Sequence, residues 1–152
     1  MAKKENTPAE EAFVNPIDKD KVAENPGLLP YAHTAGGAVI RRIGEVFRGV
    51  LVADQMIGIY GGDEFICLLP GTRRSDAFDV AERLRTAVER DRLELEGSRI
   101  PFTICIGIAE YPADGDRIQD LVRRADVALY RAKAQGKNRT VVYESTSDSR
   151  LR

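Results

Sequence analysis

From residue 37 onward, apolar and polar positions recur at spacings that name their own elements. Val39, Ile40, Ile43, Val46, Phe47 and Val50 follow three- and four-residue intervals, which predicts an amphipathic helix over roughly 37–50 with Arg41, Arg42, Glu45 and Arg48 outward. Residues 56–60 and 65–69 are short apolar runs on either side of Gly61-Gly62-Asp63-Glu64, the pattern of a β-hairpin. Pro70-Gly71 closes the second run, and Ser75 is expected to cap a helix carrying Phe78, Ala81, Leu84, Arg85 and Val88 that ends near Arg90. Over 100–109, Phe102, Ile104, Ile106 and Ile108 alternate with Thr103, Cys105 and Gly107, as in a strand with a strongly apolar face. Ile118, Leu121, Val122, Ala125, Leu129 and Ala132 mark a last helix stopped by Gly136, before a strand at 140–143. The order helix, hairpin, helix, strand, helix, strand predicts an α/β fold with a mixed central sheet flanked by helices.

The first 36 residues break this regularity. They hold four of the six lysines, none of the seventeen arginines and four of the seven prolines, Pro8, Pro16, Pro26 and Pro30. Prolines so spaced leave no room for a helix or a central strand, so 1–32 reads as an extended, partly disordered arm peripheral to the core. The expected organisation is that arm, a domain over 33–144 and a disordered polar tail over 145–152. A chain of 152 residues is long enough for one domain to bury its own core. Its formal charge of −1 gives no overall basic field for nucleic acid. The apolar runs at 65–69 and 104–109 fall far short of the roughly 20 residues that span a bilayer, and 1–11 lacks the apolar stretch of a secretory signal. A cytoplasmic protein is expected, with no membrane partner and with Cys67 and Cys105 as reduced core residues.

Candidate chemistry concentrates at the hairpin. Gly61-Gly62-Asp63-Glu64-Phe65 places two carboxylates at a tight turn whose glycines leave a ligand free to approach, a setting for a divalent cation and a triphosphate. Adjacent strand residues point to opposite faces, so only one acid is a direct ligand unless the turn distorts. An ordinary Gly-Gly hairpin with soluble acids at its tip would read the same way. Further runs decide between the two. Thr103-Ile104-Cys105-Ile106-Gly107-Ile108-Ala109, the stretch from Ala125-Asp126-Val127-Ala128-Leu129-Tyr130 through Arg131-Ala132-Lys133, and Gly136-Lys137-Asn138 accompany the hairpin. Together they resemble the GGDEF family, the diguanylate cyclases, over about residues 33–143.

The resemblance implies a palm-like nucleotidyl cyclase fold and the condensation of two GTP molecules to cyclic di-GMP with loss of two pyrophosphates, each subunit of an antiparallel homodimer presenting one GTP. It implies Mg²⁺ or Mn²⁺ as cofactor, Asp63 and Glu64 as the catalytic acids with Asp63 the metal ligand, and Gly61 and Gly62 as the close approach for nucleotide. Lys133 and Lys137 match the positions that hold the β- and γ-phosphates. The family usually has Arg at the second, and Lys keeps the charge while losing the bidentate fork. Without the hairpin, both lysines would read as a solvated helix end, where cations are favoured anyway.

Several positions depart from the family. Its Asp-x-Asp strand ahead of the hairpin is not recognisable, so the first strand is missing or replaced: either the stretch from Ala12 to Ile17 fills the gap imperfectly, or the chain is a truncated or fused gene product. Asp18-Lys19-Asp20 has the form but lies too far from His33, and Pro16 and Lys19 do not suit a buried strand. The turn that follows survives as Ala32-His33-Thr34-Ala35-Gly36, with His33 a turn residue and Gly37 in place of the Asp that reads guanine. An unpaired buried polar edge costs about 1–3 kcal/mol per group, so guanine recognition should suffer. Val52 and Gln55 occupy the Arg and Asp of the family's product-inhibition site, so that feedback is not expected. Weak or absent cyclase activity is therefore anticipated. The alternative is a non-catalytic module that senses GTP or cyclic di-GMP, dimerises or docks to a protein partner.

Overall fold

The computed structural model describes residues 11–15 and 32–145, with side chains described from 36 onward. Its elements are β1 (Glu11–Asn15), α1 (Ala32–Val50), β2 (Met56–Gly61), β3 (Glu64–Leu68), α2 (Arg74–Arg90), β4 (Leu93–Leu95), β5 (Ser98–Ile100), β6 (Cys105–Ala109), α3 (Ile118–Ala134) and β7 (Thr140–Val142). The main sheet has the order β2-β3-β1-β6-β7. All its pairings are antiparallel except β6 with β7, the one pair joined by a helical crossover, as a parallel pair requires.

Strand alternation sorts the core into two layers. Phe65, Cys67 and Leu69 join Ile104, Ile106 and Ile108 on the face covered by α1 and α2, which contribute Ile43, Phe47, Leu84 and Val88. Phe47 and Phe65 meet as tilted rings 5.6 Å apart. On the other face Cys105 and Ala109 pack against Leu121, Ala125, Leu129 and Ala132 of α3. The small residues of β6 are what let this helix lie close.

Four expectations are corrected. Glu11–Asn15 is not peripheral: it is the middle strand of the sheet, with Phe13 opposite both Ile66 and Gly107. The replaced first strand is thus this short segment. Ala32 to Gly36 forms the opening of α1 rather than a turn, so the backbone at His33 is helical. Ser75 lies inside the first turn of α2, whose cap is Arg73 without a capping side-chain bond. The run at 100–109 divides, its first residue closing a small β4–β5 hairpin turned at Glu96 (φ 50°) and Gly97 (φ 79°). The other arm residues, Asp18 and Asp20 among them, and the tail beyond Ser145 lie outside the described residues.

At the end of the sheet away from the Gly-Gly turn, Arg74 joins α2 to the loop after β6. Its Nη2 donates to Asp114 Oδ2 at 2.8 Å and its Nε to Glu110 Oε2 at 3.1 Å, while the Glu110 N–H donates to the same Asp114 oxygen at 2.8 Å. Asp114 is the buried polar residue here. Arg74→Met should cost about 2–3 kcal/mol, because it strips a charged partner from a buried carboxylate and leaves it, among the described residues, its backbone donor. Urea denaturation of the two proteins measures this.

Burial pushes the Cys67 thiol up to about 12. A raised thiol pKa contributes stability below the ordinary value near 9.0 and loses it as pH rises toward 12. With its side chain fully enclosed, Cys67 should resist alkylation at pH 8 in the native protein and react once the chain is unfolded, as peptide mass mapping would show.

Candidate active site

Strand directions bring the predicted residues to one end of the sheet. The β2–β3 turn is Gly62-Asp63. Because β1 runs antiparallel to β3, with Val14 opposite Phe65, the Asn15 end of β1 lies beside that turn. Cys105, the first residue of β6, sits opposite Asn15, and β7 starts alongside, with Thr140 beside Ile106. The loop from α3 into β7 therefore opens at the same end as the hairpin turn. Three strand spacings separate β3 from β7, roughly 14 Å.

The turn itself is distorted. Ile59 pairs with Phe65 but Gly61 with Glu64, so Tyr60 is an extra residue, a bulge at the mouth of the hairpin. Asp63 belongs to the turn and Glu64 begins the strand, which frees this pair of acids from strict strand alternation. The Glu64 carboxylate lies over Gly61, with Oε2 3.8 Å from where a Cβ would stand. Gly62 has φ +22°, and among the described residues a side chain there would meet nothing within 4 Å, which leaves the space above the turn open to that extent.

Lys133 is in the last turn of α3 and Lys137 in the loop beyond it. The helix ends in a Schellman arrangement: Lys137 N–H donates to the Ala132 carbonyl at 3.1 Å and Gly136 N–H to that of Lys133 at 3.4 Å. Gly136, Lys137 and Asn138 all have positive φ, at 113°, 62° and 45°. For the last two this is uncommon backbone that something must hold.

The holding group is one the sequence reading did not single out. Arg85 Nη1 donates to Asn138 Oδ1 at 2.9 Å and to Glu89 Oε2 at 3.0 Å, and Asn138 Nδ2 donates to Glu89 Oε1 at 2.7 Å, closing a ring. The same guanidinium grips Glu82 through Nε and Nη2. These bonds hold both Glu82, by Arg85 foremost, and Glu89, by Asn138 foremost, below the ordinary glutamate pKa. Their signal was an Arg flanked by Glu three residues before and four after, which in a sequence reads as a solvated helix face.

Other expected positions are placed without joining this end into a metal cluster. Gly37 is an exposed residue of α1. Gln55 accepts the Val52 N–H at 3.1 Å, closing the local turn at the positions where the family's inhibitory pair would stand. Among the described residues no group of three or more His, Cys, Asp or Glu side chains could hold a metal ion. Asp63 and Glu64 nevertheless suit Mg²⁺, which commonly takes one or two carboxylates and completes its shell with water and substrate phosphates. Also among the described residues, no helix is long and apolar enough to cross a membrane.

A sequence profile described as "Diguanylate cyclase, GGDEF domain" matches residues 30–139. The chain belongs to the GGDEF-domain family. Diguanylate cyclase A of Treponema denticola is 37% identical over 112 residues, 74% of this chain and 30% of that protein. Diguanylate cyclase DosC of Escherichia coli is 31% identical over 131 residues, 86% of this chain and 28% of its own length. The GGDEF chain thus spans under a third of these curated relatives. Among solved structures, the GGDEF domain of Pseudomonas aeruginosa YfiN superposes with a TM-score of 0.78 at 28% identity, covering 91% of this chain and 84% of that one. An active GGEEF domain of a Vibrio cholerae diguanylate cyclase gives 0.76 at 26% identity, covering 92% and 85%. The mixed α/β fold is the GGDEF fold, with β1 as its altered first strand.

Proposed function

We propose that this domain binds GTP across the end of its sheet and, as an antiparallel homodimer, slowly condenses two GTP to cyclic di-GMP. The observation that carries the reading is the convergence of the Gly61-Gly62-Asp63-Glu64 turn and the Lys133 and Lys137 loop at one end of the sheet. Lys133 and Lys137 would hold the β- and γ-phosphates, and the open space over Gly62 admits the nucleotide. Each 3′-hydroxyl then attacks the α-phosphorus of the opposing GTP; one P–O bond forms, one breaks, and pyrophosphate leaves, twice per product. Asp63, with Glu64 beside it, would hold Mg²⁺ or Mn²⁺, which when bound neutralises phosphate charge and lowers the pKa of the attacking hydroxyl.

A second reading, a GTP-binding module without turnover, is favoured by Gly37 in place of a guanine-reading carboxylate and by the absence of a third acid at the hairpin among the described residues. A protein partner would suit either reading, since the diguanylate cyclase SiaD of Pseudomonas aeruginosa was solved with its activator SiaC. Incubating the protein with GTP and Mg²⁺ or Mn²⁺ separates the two. Slow formation of cyclic di-GMP and pyrophosphate supports the cyclase, saturable GTP binding without product supports the module, and no GTP binding overturns both.

Within either reading, Lys133→Ala should weaken GTP binding by about 1.5–3 kcal/mol, roughly 10- to 150-fold in Kd. Arg131→Ala should change it by less than about twofold, well under one charged hydrogen bond. Arg131 is engaged elsewhere, donating to the Glu144 carbonyl at 3.2 Å and lying over the Tyr143 ring. Calorimetric titration with GTP distinguishes them, and equal losses would point to diffuse electrostatics.

A further inference from the structure

We infer that Asn138, clamped by Arg85 and Glu89, is the positioning residue that sets the phosphate-facing loop and thereby fixes where Lys137 presents its ammonium. The inference rests on reading Lys133 and Lys137 as the triphosphate site. Three consecutive residues of positive φ are a backbone that a free loop would abandon for extended conformations. Gly136 adopts its angle without cost, and the Schellman bonds bring the chain as far as the Lys137 N–H. Beyond that point Arg139 Nε donates to the Lys137 carbonyl at 3.2 Å within the loop, and the Asn138 side chain ties the loop to α2. Its amide uses both ends, accepting from Arg85 at 2.9 Å and donating to Glu89 at 2.7 Å. The Arg85 side chain is only 15% exposed and its other donors grip Glu82, so the clamp stands on a fixed base. Lys137 precedes Asn138 directly, so releasing the amide frees the φ and ψ that aim the lysine. None of the three clamp residues need touch nucleotide for this to hold.

Chemical complementarity supplies the test. Asn138→Asp keeps the side-chain shape and a residue that tolerates positive φ, but sets a carboxylate against that of Glu89. Glu89→Gln in the same chain restores an amide-to-carboxylate bond with donor and acceptor exchanged. GTP and GMP are titrated calorimetrically into the wild-type protein, Asn138→Asp and the double variant, each checked for thermal unfolding. The expected result is an approximately tenfold rise in the Kd for GTP in Asn138→Asp, the scale of one hydrogen bond to a charged group, with the Kd for GMP unchanged and recovery in the double variant. Unchanged GTP affinity in Asn138→Asp, equal loss of GTP and GMP, or failure of the double variant to recover would each overturn the positioning role. Wild-type protein that binds no GTP would instead remove the site reading and the inference with it. If Asn138→Asp does not fold, Glu89→Ala, which removes the acceptor of the Asn138 amide, is read in its place: a severalfold loss for GTP only supports the clamp, and no change overturns it.

Discussion

Gly107→Val should yield no folded protein. A Cβ at Gly107 would run into the Ala125 carbonyl oxygen and come within 2.5 Å of the Leu129 nitrogen and 3.0 Å of its Cα. All three are backbone atoms of α3, so no rotamer change relieves the clash; the whole helix must lift from β6. Extra methylenes in a packed core typically cost about 1–3 kcal/mol when side chains can adjust, and here they cannot. Lifting α3 also exposes Leu121, Ala125 and Leu129, a loss on the scale of the roughly 5–15 kcal/mol that holds a domain together. Circular dichroism and size-exclusion chromatography would register the failure. Gly58→Ala is the control, since among the described residues nothing lies within 4 Å of the added carbon on β2 and the change should be nearly neutral. A soluble, cooperatively unfolding Gly107→Val protein would refute the close packing of α3.

Asp63→Ala should abolish whatever cyclic di-GMP the protein makes and leave the fold as it was. The side chain belongs to the two-residue turn and is absent from both core clusters, so its removal exposes no apolar surface. What it removes is an anionic oxygen, and phosphoryl transfer leans on such groups to hold cations around the reacting phosphate. Asp63→Asn, which keeps the shape, should fail equally. Product measured chromatographically in Asp63→Ala at the wild-type rate would remove Asp63 from the chemistry. The thermal midpoint, unchanged in either variant, separates this loss from unfolding.

The helices and the β2–β3 hairpin were legible because their apolar spacing matches their geometry: Ile43, Phe47 and Val50 on α1, Leu121, Ala125, Leu129 and Ala132 on α3. β1 was not. The stretch from Ala12 to Ile17 was one of two ways to fill the missing strand, but Glu11-Ala12-Phe13-Val14-Asn15 is short and followed by Pro16, and its place is decided by Phe65, Ile66, Ile106 and Gly107 on strands far along the chain. The start of α1 was concealed by Gly36-Gly37, which disfavour a helix until packing overrides them. Of the candidate site, the turn and the lysine loop could be read from their motifs. The Arg85, Glu89 and Asn138 clamp could not, because its bonds join residues 49 and 53 positions apart.

The central seat of β1 governs the order in which the chain can assemble. Its partners, β3 on one side and β6 on the other, are made long after it, so the emerging segment has no sheet to join and must wait for both. Until it is inserted, the β2–β3 hairpin and the β6–α3–β7 unit are separate halves, each showing a raw strand edge. Closing such distant pairs demands large loop-closure entropy before any contact rewards it, which makes folding slow. A ribosome-bound or truncated chain lacking that insertion would present two sticky edges instead of a sheet, the state most open to aggregation and to chaperone capture.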